Sequence, residues 1–268
     1  MYYLETSAIR SLSPYLTNEK LRLKSFTSIL TLIELLSQIK DEESFRRTKK
    51  NCINILDSKI KIDGLIPELK LANAFGLHIN FYSIESLFGL IGDLICCRDF
   101  SQFVSLLKSQ EFSEIWRFIN VYDKNGTRFP SMLTNFQKSY DEIHRNNPSS
   151  NEMFAPSSYK ELLSIVVDAY KSIVFKNFKE YHSIAMANQL RYNYSLDLYL
   201  LLIAKFTHQK LSTHNLAGRN DYFDIHHSVY LNSITDQFVS SDRKMLDFYN
   251  SIYPDTALSV TSIISSLK

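Results

Sequence analysis

Ser25-Phe26-Thr27-Ser28-Ile29-Leu30-Thr31-Leu32-Ile33-Glu34-Leu35-Leu36 reads as a short strand that feeds a helix. The helical pattern runs through Ile29, Leu30, Leu32, Ile33, Leu35, Leu36 and Ile39, and a single carboxylate, Glu34, interrupts it. Upstream, Met1-Tyr2-Tyr3-Leu4 is a short apolar run rich in β-formers, and it ends at Glu5-Thr6-Ser7. Near the other end, Gln237-Phe238-Val239-Ser240 is a second compact apolar run, with Asp242 just beyond it and a helix from Arg243 to about Ile252. Continuous short apolar runs of this kind are expected of strands buried on both faces, as in a parallel sheet.

Between these ends the pattern is different. A helix over Glu43 to Leu56 carries Arg46, Arg47, Lys49 and Lys50, and from Leu65 to Phe206 the pattern is helical nearly throughout. Asn125-Gly126 marks a turn in Asp123–Arg128, and the polar stretch His144–Ser158, with Pro148 and Pro156, separates two helical blocks. Near Leu216-Ala217-Gly218 the character changes again, and Asn220-Asp221 reads as the start of a helix running to about Leu231. Strand–helix alternation at both ends, with helices alone between, predicts an α/β domain interrupted by a helical insertion.

Composition agrees with many helices. Six Gly and six Pro in 268 residues are too few for a loop-rich sandwich. With 30 basic against 28 acidic residues, the charge of +2 excludes a polycation that binds nucleic acid through net charge alone. Cys52, Cys96 and Cys97 cannot all pair internally, and two of them are adjacent, so free thiols in a reducing cytosol are expected. No basic N-terminal signal precedes Glu5, and the most apolar stretch, Ile84–Cys97, holds Glu85 and Asp93 and is short of a bilayer span. The expectation is a cytoplasmic protein without a membrane partner.

The carboxylates carry the chemistry. Glu5 follows the first strand, Glu34 lies inside an apolar helix face, Asp224 falls in a helix first turn and Asp242 follows a late strand. Side chains at the carboxyl ends of parallel strands converge on one crevice. If Glu5 and Asp242 end neighbouring strands, two carboxylates are expected to meet at the crevice with nothing basic beside them there, and a cation is needed to relieve the repulsion. Oxygen-only ligation points to Mg²⁺ or Mn²⁺. Each acid has a plainer reading: Glu5 as an exposed strand end, Glu34 as a solvated helix position, Asp221 and Asp242 as helix caps, and Asp224 as an acid favoured by the helix dipole.

Taken together, these segments resemble the PIN-domain nucleases. That superfamily opens with a strand ending in an acid followed by Thr, Ser or Asn, as in Tyr3-Leu4-Glu5-Thr6-Ser7. Its second element is a strand with Ser and a helix with an embedded Glu, as in Ser25 to Leu36. A third acid sits at a helix start, here Asn220-Asp221-Tyr222-Phe223-Asp224-Ile225-His226-His227, and a fourth follows an apolar strand, here Phe238-Val239-Ser240-Ser241-Asp242. The first acid is usually Asp, whereas this chain has the longer Glu5. The resemblance implies a three-layer α/β/α fold with a central, mainly parallel sheet, formed by residues 1–75 and 205–268 and interrupted by an all-α insertion at 76–204.

It further implies a metal-dependent endoribonuclease that hydrolyses phosphodiester bonds with a metal-activated water. Glu5, Glu34, Asp224 and Asp242, with Asp221 beside them, would hold Mg²⁺ or Mn²⁺. Ser7 and Ser240 would hydrogen-bond the acids or their waters, and Arg219, Arg243 and His226 would contact phosphates. The basic cluster Arg46, Arg47, Lys49 and Lys50 would border the nucleic-acid path, or else form a solvated helix face. Tyr192, Tyr194 and Tyr199 are expected in core packing rather than base stacking. Two other readings stay open: a catalytically weak PIN-like module that works through a protein partner, antitoxin or second copy, and a DNA-cleaving relative.

Overall fold

The computed structural model describes residues 1–74, 85–109, 112–120, 194–213 and 219–267, with backbone alone at 72, 194, 211–213 and 219. Five strands form one all-parallel sheet: β1 (Tyr2–Leu4), β2 (Ser25–Ser28), β3 (Lys61–Asp63), β4 (Gln237–Ser240) and β5 (Ala257–Ser259). Their order is β3-β2-β1-β4-β5. Tyr2 pairs with Ser25 on one side and with Gln237 on the other, so the first strand is the middle of the sheet. Every residue of β2 and all but the first of β1 and β4 are buried, as a parallel sheet covered on both faces requires.

Helices follow the strands: α1 (Thr6–Leu12), α2 (Glu19–Lys24), α3 (Ile29–Ser37), α4 (Glu42–Ser58), α5 (Pro67–Ala74), α6 (Glu85–Cys96) and α7 (Phe100–Leu107). Residues 112–120 are helical too. Further helices span Tyr194–Thr213, Arg219–His226, Arg243–Asn250 and Val260–Leu267. In α3 every residue but Glu34 and Ser37 is buried, and Ser28 caps it by accepting the Thr31 N–H at 3.4 Å. In α4 the buried set Phe45, Thr48, Cys52 and Ile55 follows the helical repeat. Asp41 and Ser44 close its first turn reciprocally, and Lys59 ends it in the left-handed region at φ 55°.

Contacts divide the chain into two units. The first comprises Met1–Ile66, Asn80–Lys124 and Ser233–Lys268, and holds the sheet; the second comprises Pro67–Ile79 and Asn125–Asn232. Most of the expected insertion, including the turn at Asp123–Arg128, the stretch His144–Ser158 and Tyr192, lies outside the described residues. Leu216-Ala217-Gly218 lies outside them as well. All three cysteines are free, Cys52 and Cys97 buried and Cys96 exposed. Among the described residues no helix is long and apolar enough to cross a membrane.

Aromatic packing fixes the sheet to its helices. The Tyr3 ring lies 5.3 Å from Phe26 and 6.3 Å from Phe238, and Phe238 stacks on Tyr249 of the helix Arg243–Asn250 at 4.2 Å and 10°. Phe238→Ala removes the ring shared by Tyr3 and Tyr249 and should cost about 3–5 kcal/mol. A lowered urea midpoint with an unchanged slope is the expected result.

Candidate active site at the carboxyl ends of β1 and β4

From β1 the chain builds outward through β2 and β3 on one side, and later through β4 and β5 on the other. The order therefore reverses between β1 and β4, and in open parallel sheets the ligand crevice lies at that point, beyond the carboxyl ends of the strands. Glu5 is the first residue past β1, while Ser240 ends β4 and is followed by Ser241 and Asp242. Two sequence-predicted acids and both predicted hydroxyls thus arrive at the switch point.

Glu5 is 7% exposed, which corrects the plainer expectation of a solvent-facing strand end. It is the N-cap of α1: Oε2 accepts the Ser7 N–H at 2.6 Å, and Oε1 accepts the Ala8 N–H at 3.1 Å and the Ser7 hydroxyl. Asp242 caps the helix Arg243–Asn250 in the same manner, its Oδ1 accepting from Lys244 N at 2.8 Å and Met245 N at 3.3 Å. Ser7 Oγ also accepts the Ser241 N–H at 2.9 Å and lies 3.3 Å from Ser240 Oγ. Ser240 Oγ in turn accepts the Asp242 N–H at 2.9 Å. Because the Ser7 proton is committed to Glu5, Ser240 donates to Ser7. A directed chain of donors then runs from the Asp242 amide through two hydroxyls to the Glu5 carboxylate.

Glu34 joins from the other side. Its Oε2 accepts the Thr6 hydroxyl, so adjacent residues of the β1–α1 turn hold Glu5 and Glu34. Beneath them Tyr3 is fully buried and its hydroxyl is 2.7 Å from Ser28 Oγ. Burial, reinforced by the negative fields of Glu34 and Glu5, pushes the Tyr3 phenol well above its ordinary value. Half-buried Arg10 feels both carboxylates too. Burial pulls its guanidinium below the ordinary value, Glu34 and Glu5 oppose that pull, and Arg47 adds to it. Arg10 thus shares an electrostatic field with Glu34 and Glu5. Thr6 and Arg10 are the site residues that sequence reasoning overlooked, and a helix starting at Thr6 would have placed both on one face, four residues apart.

Arg243 and Arg47 are exposed, Lys50 is exposed, and Arg46 pairs with Glu42 at 2.6 Å. Lys49 donates to the Cys97 carbonyl at 2.6 Å. Asp221, Asp224 and His226 belong to the second unit, in the helix Arg219–His226 that opens at the backbone of Arg219. Asp221 pairs there with Lys210 at 3.2 Å, and Asp224 is half-buried. His226, expected at a phosphate, is 5% exposed and lies inside that unit. Its Nδ1 is 2.7 Å from the Tyr222 carbonyl and so carries the proton, which leaves Nε2 to accept from the Tyr199 hydroxyl at 3.2 Å. Tyr199 is buried at 1% exposure, in line with the expected core packing.

Donor chemistry at the switch point is uniformly hard: carboxylates of Glu5, Glu34 and Asp242, with hydroxyls of Thr6, Ser7 and Ser240 beside them. Such oxygens fit Mg²⁺ or Mn²⁺ rather than a soft metal. Among the described residues, no three His, Cys, Asp or Glu side chains are gathered closely enough to hold an ion. Comparison with protein-family models, with curated proteins and with solved structures returns no match.

The buried histidine makes a pH dependence. Burial holds the His226 imidazole below its ordinary 6.5, against the opposing pulls of Glu68 and the Tyr222 carbonyl. The unfolded chain takes up the proton first as pH falls, so this contribution is complete above about 6.5 and is lost below it. Urea midpoints should fall between pH 7.5 and pH 5.5, and fall less in His226→Gln.

Proposed function

We propose that the protein is a metal-dependent endoribonuclease of PIN type that hydrolyses phosphodiester bonds with an activated water. The observation that carries this reading is that Ser7, linked to Ser240, holds Glu5 and the adjacent Thr6 holds Glu34 beside the point where strand order reverses. Support comes also from the four acids following one another in the family's order, each in the family's local context. Glu5, Glu34 and Asp242 would have to draw closer together to hold Mg²⁺ or Mn²⁺, with Asp224 as the fourth acid of the pattern and Asp221 beside it. When bound, such an ion acidifies a water and offsets charge that develops on the phosphodiester.

The chain's own residues then have separable tasks. Ser7 and Ser240 orient the Glu5 carboxylate, and Thr6 orients that of Glu34. Arg10 offsets part of the carboxylate charge and limits the repulsion between them. Exposed Arg243, Arg47 and Lys50 offer contacts to a nucleic-acid backbone, contacts that position a strand without reading its sequence. The second reading, a catalytically weak module acting through a protein partner, is favoured by one observation: three donors of the β1–α1 turn already engage Glu5.

Labelled single-stranded and structured RNA, with a DNA control, incubated with Mn²⁺ and with or without chelator, separates these readings. Asp242→Asn is the informative variant, because Asn caps a helix as well as Asp does and removes only the charge. It should lower cleavage by more than about a hundredfold while circular dichroism stays the same. Undiminished cleavage by Asp242→Asn, or cleavage that survives chelator, would overturn the nuclease reading. Absence of cleavage by the wild-type chain would favour the partner-binding module.

A further inference from the structure

Away from the sheet, the first unit contains a groove of about 490 Å³ between the end of α3 and the helix α7. Its floor is core, since Phe103 is fully buried and meets Phe45 at 5.8 Å and the Trp116 ring edge-on at 5.8 Å. Its walls are not: Phe100, Val104, Leu107 and Trp116 are only half-buried, and all present apolar surface to the groove. The α7 end of the groove is well anchored, as Glu42 accepts the Phe100 N–H at 2.9 Å and Asp99 caps the helix through Gln102 N at 2.8 Å.

Two exposed cations line the same groove, Lys40 and Lys108, and among the described residues no carboxylate does. Elsewhere in the described residues Arg46 pairs with Glu42, Lys210 pairs with Asp221, and Lys49 donates to a carbonyl. Neither Lys40 nor Lys108 makes an ion pair among the described residues. Apolar walls with two uncompensated ammonium groups select a ligand with an apolar body and an anionic head. An open groove of this volume is small for the longer face that a docked peptide helix needs. Among the described residues, the lining offers no amide, hydroxyl or carboxylate side chain to read a base edge or sugar hydroxyls.

We propose that this groove binds an unbranched aliphatic carboxylate of medium chain length, with its tail along Val104, Leu107 and Trp116 and its head at Lys40 and Lys108. The site is independent of the strand-end acids and of the nuclease reading.

Trp116 is the single tryptophan of the chain and lines the groove, so its emission reports occupancy directly. The full chain is titrated with hexanoate, octanoate and decanoate below their aggregation concentrations, with decyltrimethylammonium as the cationic control. Saturable one-to-one binding should tighten with each added methylene, by up to about the fourfold that ~0.8 kcal/mol per fully buried CH₂ gives. Lys40→Gln and Lys108→Gln should each weaken decanoate about threefold, and added salt should do the same, as screened surface charges do. Val104→Phe, which fills the groove with an apolar ring, should abolish binding while circular dichroism stays unchanged. No saturable signal, an affinity independent of chain length, or equal binding of the cationic amphiphile would each overturn the proposal. So would binding of an acidic amphipathic peptide by a chain that ignores the alkyl carboxylates.

Discussion

Three residues, Tyr2–Leu4, carry the middle strand of the sheet, and the two halves of the sheet meet only through them. Take β1 away and what remains is two strand pairs, β2 with β3 and β4 with β5, and two-stranded pieces are marginal in water. Its side chains tie the layers as well. Tyr3 touches an aromatic ring on each neighbouring strand, and its hydroxyl meets Ser28, the residue that caps α3. A slip of one residue would turn Tyr3 to the opposite face and carry Glu5 out of reach of its helix donors. The placement of the acids is thus a consequence of strand register.

How far this was legible in the sequence depends on how each strand is buried. β1, β2 and β4 are hidden on both faces; apolar runs announced β1 and β4, and β2 was read from Ser25-Phe26-Thr27-Ser28 feeding an apolar helix. β3 is Lys61-Ile62-Asp63, an edge strand with two charges in three residues, and nothing in such a run distinguishes it from a loop. β5, the other edge, is three residues of Ala257-Leu258-Ser259 and runs straight into a helix. Edge strands need less apolar surface, so they write less of themselves into the chain.

The site shows the same division. The positions of Glu5, Glu34 and Asp242 at the ends of elements followed from local pattern, as did the hydroxyls of Ser7 and Ser240. What did not follow was α1, because Thr6-Ser7-Ala8-Ile9-Arg10-Ser11-Leu12 begins with poor helix formers and is capped by Glu, a residue outside the usual capping set. Missing that helix meant missing Arg10, and with it the charge that tempers the acid pair. The ring of His226 is held by Tyr199, whose side chain comes from a separate helix, and no spacing rule within one helix predicts such a partner. The Asp242 cap, by contrast, was one of two readings the sequence left standing, and a cap and a ligand are compatible uses of one carboxylate with two oxygens.

The register of β1 has a bearing on synthesis. Tyr2 and its partner Gln237 are separated by most of the sequence, so β1 is made long before β4. At roughly 5–20 residues per second, the middle strand waits some tens of seconds with one edge bare. During that interval Ser7 has no Ser240 to meet and the helix that Asp242 caps does not exist. The nascent chain therefore carries Glu5 and Glu34 in an unassembled form, and the crevice closes only after β4 has been made.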